Sequence, residues 1–490
     1  MSQSDKDLRS IQEAREKAQR AREAQLVWAK ADQQQVDKVC QAMAEAAYLG
    51  AERLGRMAAE ETGFGVPLHK KLKNEFASQH VWNSIKDVKT VGVLRKDPQT
   101  QIYEIAWPMG VVAALIPSTN PTSTTINKIL ISVKARNAIV AAPHPAAVNC
   151  SVATVELMAQ AAEDAGAPPN LVQSLTEITL PGTQELMSHR YTGVILATGG
   201  PDMVKAAHSQ GKPAYGVGPG NVPVYVDRSA DLENAAKYIV ASKSFDHSVI
   251  CSTEQSVVAD RPIAARLREL MQAEGAYFVD EDQAEALRRT LFYPDGSINV
   301  ASVGKSPQYL AAMAGIQVPG QARILVATLT KVGREEPLSH EKLTTVLGWY
   351  EADGWEACCE ICISLISFGG RGHTQIIHAT DERVILAYGL EKPVFRIVVN
   401  TMGTLGAIGL TTGVMPSLTL GPGGIGGAIT GDNITVYHLF NVKRMAFGIR
   451  RPPEEALRPG TTPAGPVYGP DVQQIESMVQ EVVAEILSVK

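Results

Sequence analysis

Six cysteines are scattered through the 490 residues, and their settings differ. Cys251 follows Lys243-Ser-Phe-Asp-His-Ser-Val-Ile250 and precedes Ser-Thr-Glu-Gln. That places it between a predicted helix and a predicted strand. Functional residues gather on such connections, and a thiolate is a ready nucleophile there. From position alone, a buried small hydrophobe is the commoner use of a free cysteine. Cys358, Cys359 and Cys362 share one helical run, and Cys359-Glu-Ile-Cys362 has C-x-x-C spacing. Zinc needs about four ligands, and there is no second cysteine pair. These three read as packed helix cysteines, and no metal site is read.

The glycine-rich stretches could hold phosphate. Thr198-Gly-Gly-Pro-Asp-Met-Val204 joins a strand to a helix, where free N–H groups can face a pyrophosphate. Gly421-Pro-Gly-Gly-Ile-Gly426 has the G-x-G-x-x-G spacing but opens no helix, so it is not a dinucleotide fingerprint. Gly216-Val-Gly-Pro-Gly-Asn221 is read as preceding a strand, with close backbone packing near a site as its role. Asn120, in Ile116-Pro-Ser-Thr-Asn-Pro-Thr, could donate to a developing oxyanion. By itself an Asn-Pro turn is the simpler reading.

These groups need a scaffold. Residues 4 to about 60 are rich in helix formers, with no proline before Pro67. Residues 88–106 alternate around the turn Lys96-Asp97-Pro98, a hairpin pattern. From Met109 the chain alternates apolar runs with helical segments: strands at 110–116, 137–142 and 194–197, and helices at 124–136, 152–166 and 201–210. The pattern resumes with a strand at 222–226, a helix at 231–244 and a strand at 255–259. Such alternation implies parallel sheets with helices on both faces. The expectation is an α/β chain of two Rossmann-like lobes: 1–228 a dinucleotide-binding domain and 229–450 a catalytic domain. A Pro/Gly-rich linker at 451–470 and an amphipathic helix at 471–490 would follow.

Composition narrows the function. There are 46 basic and 51 acidic residues, a net charge of −5, so no basic excess points to nucleic acid or anionic membrane. No apolar tract approaches the roughly 18 residues that span a bilayer. The first residues, Met-Ser-Gln-Ser-Asp-Lys-Asp-Leu-Arg, carry no signal-peptide core. A cytoplasmic chain with reduced thiols is expected.

Taken in order, several motifs are specific together. They are Ile116-Pro-x-x-Asn-Pro, Pro143-His-Pro, Ala197-Thr-Gly-Gly, Gly216-x-Gly-x-Gly-Asn and Ile250-Cys-x-x-Glu-Gln. Pro337-Leu-Ser-His-Glu-Lys-Leu343, Phe368-Gly-Gly-Arg-Gly-His-Thr374 and Pro416-Ser-Leu-Thr-Leu-Gly421 extend the series. Over roughly residues 10–450 the chain resembles the aldehyde dehydrogenase superfamily. Its strongest likeness is to the CoA-acylating branch, including the dehydrogenase half of bifunctional aldehyde–alcohol enzymes.

The resemblance implies that Cys251 attacks an aldehyde to give a thiohemiacetal, with Asn120 and the Cys251 N–H holding the oxyanion. Loss of hydride to NAD would leave a thioester, which coenzyme A takes over. Ile116, Pro117 and Ser118 would flank the nicotinamide, and Thr198, Gly199 and Gly200 would approach the pyrophosphate. Glu336 matches a glutamate that binds the nicotinamide ribose. His144 stands where hydrolytic members often carry lysine, which leaves NADP open beside NAD. His247 could affect thiolate formation or be a solvated loop histidine. Arg371 could meet an anionic aldehyde such as sulfoacetaldehyde or succinate semialdehyde, or be a surface arginine.

Hydrolytic relatives activate water with a glutamate, whereas the matching segment here, Tyr215-Gly-Val-Gly-Pro-Gly, has no carboxylate. That favours acyl transfer to CoA over a hydrolytic enzyme releasing a free acid, and the retained Cys251 and Asn120 argue against an inactive microcompartment-associated scaffold. The family also implies a homodimer or homotetramer built through the hairpin. Residues 471–490 are similar to encapsulation peptides that bind a bacterial microcompartment shell; a helix docked on its own oligomer is the other reading.

Overall fold

The computed structural model describes residues 3–457 and, beyond them, Ser477 and Glu481. Three helices open the chain, at Gln3–Trp28, Gln33–Leu49 and Ala51–Thr62. The Asp32 side chain caps the second by accepting the Gln35 N–H. The helix-forming composition of this region is therefore realised.

The first lobe's strands are β1 (Val93–Asp97), β2 (Ile102–Pro108), β3 (Val111–Ile116), β4 (Ala138–Pro143), β5 (Val172–Ser174), β6 (Thr192–Thr198) and β7 (Ala214–Val217). The second lobe holds β8 (Val222–Val226), β9 (Glu254–Asp260), β10 (Ala276–Phe278), β11 (Ile324–Thr328), β12 (Val346–Ala352), β13 (Gln375–His378) and β14 (Ile397–Val399). A last strand, β15 (Phe440–Ala446), completes a small antiparallel sheet in the order β1-β2-β15.

Two larger sheets carry the α/β pattern. One has the order β5-β4-β3-β6-β7, the other β10-β11-β12-β9-β8-β13-β14. Each pairing in them is parallel. β3, β4, β8 and β9 are buried at every residue, as a sheet covered on both faces requires. The helix Pro121–Lys134 is buried along its whole length.

β7 was not anticipated. Gly216 and Val217 end this strand, so the loop 218–221 follows one strand as well as preceding another. Four residues at a sheet edge carry too little periodicity to stand out. The chain changes sheets between Val217 and Val222, ahead of the boundary expected at 228. Of the expected linker, residues 451–457 are described, including a short helix at Glu454–Leu457. Apart from Ser477 and Glu481, the helix expected at 471–490 lies outside the described residues. Among the described residues, no helix is long and apolar enough to cross a membrane.

Residues 96–103 and the described residues from Met445 on form a compact unit of their own. Within it, Asp97 Oδ1 accepts the N–H groups of Gln99 and Thr100, and Tyr103 meets Phe447 edge-on at 5.3 Å.

The core of the first lobe is completed from far along the chain. Ile434, Val436 and Leu439 pack into the cluster built by Trp28, Met43 and Ile126. Asn137, fully buried, ties the two parts together. Its Oδ1 accepts the Gly110 N–H at 2.9 Å and its Nδ2 donates to the Leu439 carbonyl at 2.7 Å. Asn137→Ala strands both backbone groups in the core, at about 1–3 kcal/mol each. A urea unfolding curve should lose about 2–5 kcal/mol; a loss below about 1 kcal/mol would remove Asn137 as the tie.

Candidate active site

In the first sheet the chain leaves β3 toward β4 on one side and later returns as β6 on the other. At such a switch point the loops after adjacent strands diverge and open a crevice, where α/β folds bind ligands. Here those loops are Pro117–Asn120 after β3 and Gly199–Gly200 after β6. A cleft of about 270 Å3 lies there, with Asn120, Thr198, Cys251 and Glu341 on its walls. A neighbouring hollow of about 430 Å3 runs past Ile116, Ile178 and Met203. Pro117, His144, Thr198, Gly199 and Gly200 border both spaces.

Cys251 sits on the turn between a 3-10 segment, Phe245–Ser248, and β9. Asp246, His247 and Ser248 have φ of 47°, 49° and 70°. Three successive non-glycine residues in the left-handed region are costly, of order 1–3 kcal/mol each, and persist only when surroundings impose them. Here the helix Pro67–Glu75 and the loop before it impose them. The Asp246 N–H donates to His69 Nδ1 at 2.8 Å, and its Oδ1 accepts the Val66 N–H at 2.6 Å. Lys70 Nζ lies 3.2 Å from Oδ2, and Lys73 Nζ donates to the same oxygen. Gly65 is required beside them: a Cβ would stand 2.1 Å from Asp246 Oδ1. Burial pushes the Asp246 carboxyl up, but Lys70 and Lys73 outweigh it and hold it below the usual carboxylate range.

Asn120 faces the same cleft. Its Nδ2 donates to the Val249 carbonyl at 3.0 Å, and its Oδ1 accepts from Lys73 Nζ. Its amide orientation is therefore set from both ends.

Two charged groups flank Cys251 that the motifs did not single out. Glu341 is buried and accepts the Gly220 N–H at 2.8 Å. Burial pushes its carboxyl up to about 8. Arg396 is 5% exposed, and its nearest acceptors are neutral oxygens: Asn433 Oδ1, the His373 carbonyl and the Gly431 carbonyl at 2.7–3.1 Å. Burial pulls its guanidinium down to about 10, while Cys251 and Asp432 pull it back up. Enclosure by the cleft, then Glu341, push Cys251 up to about 12. Arg396 and the N–H groups of Cys251 and Ser252 pull it back. Gly220 packs behind the cysteine, where a Cβ would lie 2.4 Å from the Cys251 carbonyl oxygen.

Several expected residues fall elsewhere. Glu336 lines neither space. It caps the turn Pro337–Ser339 through the Leu338 N–H and makes an ion pair with Arg288 Nη2 at 2.8 Å. The carboxyl on the cleft wall is Glu341, five residues later. A glutamate closer to the start of β12 was the available signal. Arg371 is exposed and absent from both walls. His247 turns its Nδ1 to the Gly304 carbonyl at 3.0 Å and also lies off the walls. Tyr215–Gly220 contributes no carboxylate, as read from sequence, but Glu341 supplies one from the other lobe.

The residues present suit the phosphates of a dinucleotide. Thr198 Oγ1 is buried without a protein partner, and Gly200 caps the helix Pro201–His208, whose first N–H groups can receive phosphate. The other cysteines are buried, so alkylation reports on Cys251. Its iodoacetamide rate should climb with pH up to at least about pH 10, because the thiolate is the reactive form. Glu341→Gln should speed the reaction above about pH 8, where the native carboxylate is charged and opposes the thiolate. An unchanged rate would contradict the electrostatic contact between them.

The family model for the aldehyde dehydrogenase family matches residues 4–285. The chain is 40% identical to an aldehyde-alcohol dehydrogenase of Clostridium acetobutylicum, over 89% of this chain and 51% of that protein. It thus spans about half the length of the aldehyde-alcohol dehydrogenases it matches. An acetylating aldehyde dehydrogenase from Geobacillus thermoglucosidasius superposes with a TM-score of 0.90 at 51% identity, covering 91% of this chain and 99% of that one. A Rhodopseudomonas palustris propionaldehyde dehydrogenase, solved with bound CoA and an acylated cysteine, superposes with a TM-score of 0.79 at 27% identity, over 89% and 97% of the two chains. With its two parallel sheets and this breadth of similarity, the chain belongs to the aldehyde dehydrogenase family.

Proposed function

We propose that this protein is a CoA-acylating aldehyde dehydrogenase acting through Cys251. The observation that carries the reading is the shared cleft: a nucleophile, an oriented amide and an unpaired buried threonine at one switch point. The Geobacillus relative is named as acetylating. The acylated cysteine and CoA of the Rhodopseudomonas enzyme support the same chemistry. The overall reaction is aldehyde + CoA + NAD(P)+ giving acyl-CoA + NAD(P)H + H+.

Cys251 Sγ forms a C–S bond to the aldehyde carbon, and the carbonyl electron pair moves to oxygen. Asn120 Nδ2 and the Cys251 N–H receive that oxyanion, the kind of contact worth about 10²–10³-fold in rate. Ile116, Pro117, Ser118, His144 and Thr198–Gly200 would hold the nicotinamide cofactor, which supplies the hydride acceptor when bound. The acyl group remains on Cys251 as a thioester. The CoA thiolate then attacks the acyl carbon, and the Cys251 thiolate leaves.

The cleft favours a short, neutral aldehyde. Val249, Ile250, Leu343, Ile408, Leu418 and Leu420 supply apolar wall, and among the described residues no lysine or arginine lines it. An anionic aldehyde would have no cation on that wall, since Arg371 is outside it. A hydrolytic second reading has one observation in its favour, the Glu341 carboxyl beside the cysteine.

NADH and NADPH formation with acetaldehyde, propionaldehyde, sulfoacetaldehyde and succinate semialdehyde, each with and without CoA, tests the proposal. Turnover should need CoA, prefer the neutral aldehydes and fall at least about 10⁴-fold in Cys251→Ala. Equal turnover without CoA would establish hydrolysis and direct attention to Glu341.

A further inference from the structure

Lys73 stands between two parts of the site that arrive from different lobes. Its Nζ donates both to Asp246 Oδ2 and to Asn120 Oδ1. Lys70 runs parallel to it, donating to the Thr119 carbonyl at 3.1 Å and to Asp246 Oδ2 at 3.2 Å. Lys70 and Lys73 are each 2% exposed and Asp246 is 0% exposed. Two basic side chains thus meet one carboxylate in the protein interior, and their remaining contacts are amide oxygens on the loop after β3. A buried ion cluster is a poor source of stability, because desolvation offsets its attraction. What this one does is geometric. It fixes the left-handed run that delivers Cys251, and the same nitrogen fixes the amide facing it.

We propose that Lys73 is a positioning residue for the oxyanion contact, acting through Asn120. Its charge on Oδ1 does two things. It keeps the amide nitrogen, not the oxygen, turned toward the cleft. It also draws electron density from the amide, which makes Nδ2–H a stronger donor to a developing negative oxygen. Asp246 holds Lys73 in place, and through its backbone it sets where the turn to Cys251 begins. The amide and the thiol are therefore aligned by one shared cation. The inference rests on the thiohemiacetal reading given above.

A double-mutant cycle on the full chain tests it, reading kcat and KM for CoA-dependent aldehyde oxidation. Asn120→Ala, Lys73→Met and the pair are compared with the native enzyme. Lys73→Met should lower kcat by roughly 10–100-fold with the aldehyde KM within about threefold, as expected for a contact strengthened in the transition state. In the Asn120→Ala background the same change should cost less than about threefold, because its route through Asn120 is gone while Val66, His69 and Lys70 still hold Asp246. Lys73→Gln, which keeps a neutral donor to Oδ1, should recover part of the lost kcat. If Lys73→Met does not fold, Lys73→Gln carries the cycle, with a smaller loss that also vanishes beside Asn120→Ala. Additive losses would overturn the proposal, as would native kcat in both Lys73 variants. Native activity in Asn120→Ala would instead overturn the oxyanion reading on which it stands.

Discussion

A sheet covered on both faces leaves no room for chemistry along its strands. β3, β4, β8 and β9 are buried throughout, and their N–H and C=O groups pair within the parallel ladders. Polar function is therefore pushed to the strand ends. The first sheet reverses its winding at β3 and β6, which parts the loops there. The second sheet contributes the turn that leads into β9. Asn120, Thr198 and Cys251 come together because each sits where a ladder has ended.

Strand ends leave carbonyls to satisfy, and buried lysines do much of this work. Lys128 donates to the Leu115 carbonyl at 2.7 Å and the Leu196 carbonyl at 3.0 Å, joining the tips of β3 and β6 beneath the cleft. Burial pulls its pKa well down. Lys342 reaches the carbonyls of Gln255, Leu338 and His340. It thereby pins the segment bearing Glu341 to the strand that follows Cys251. The thiol and a carboxyl of raised pKa then share one enclosure, and that carboxyl and the Arg396 guanidinium push the Cys251 thiol in opposite directions.

The fold was largely legible because buried parallel strands are unbroken apolar runs, as in Val111–Ile116 and Ala138–Pro143. Ala214–Val217 was not, being four residues at an edge. In the site, Cys251 and Asn120 emerged from the order of motifs, and the structure brings them to one cleft. Glu336 was named from its motif match, and Glu341, in the same run of sequence, was not singled out. Only the turn Pro337–Ser339 decides which carboxyl meets Arg288 and which meets the cleft. Arg371 and Arg396 present the same difficulty, since an arginine's sequence position does not say whether it is buried. Lys73 and Asp246 were unreadable for another reason. They are 173 residues apart, and a lysine on a helix ordinarily signals a solvated face.

The way the first lobe is closed has a consequence for biosynthesis. Ile434, Val436, Leu439 and Phe440 fill a core whose other buried members precede residue 210, and Asn137 waits for the Leu439 carbonyl. Domains generally fold in turn as they leave the ribosome. This one has an open flank, with apolar side chains and an unpaired amide, until nearly the whole described chain has emerged. The two lobes are thus successive in sequence but not in assembly. The nascent protein must keep its first half soluble while its second half is still being made.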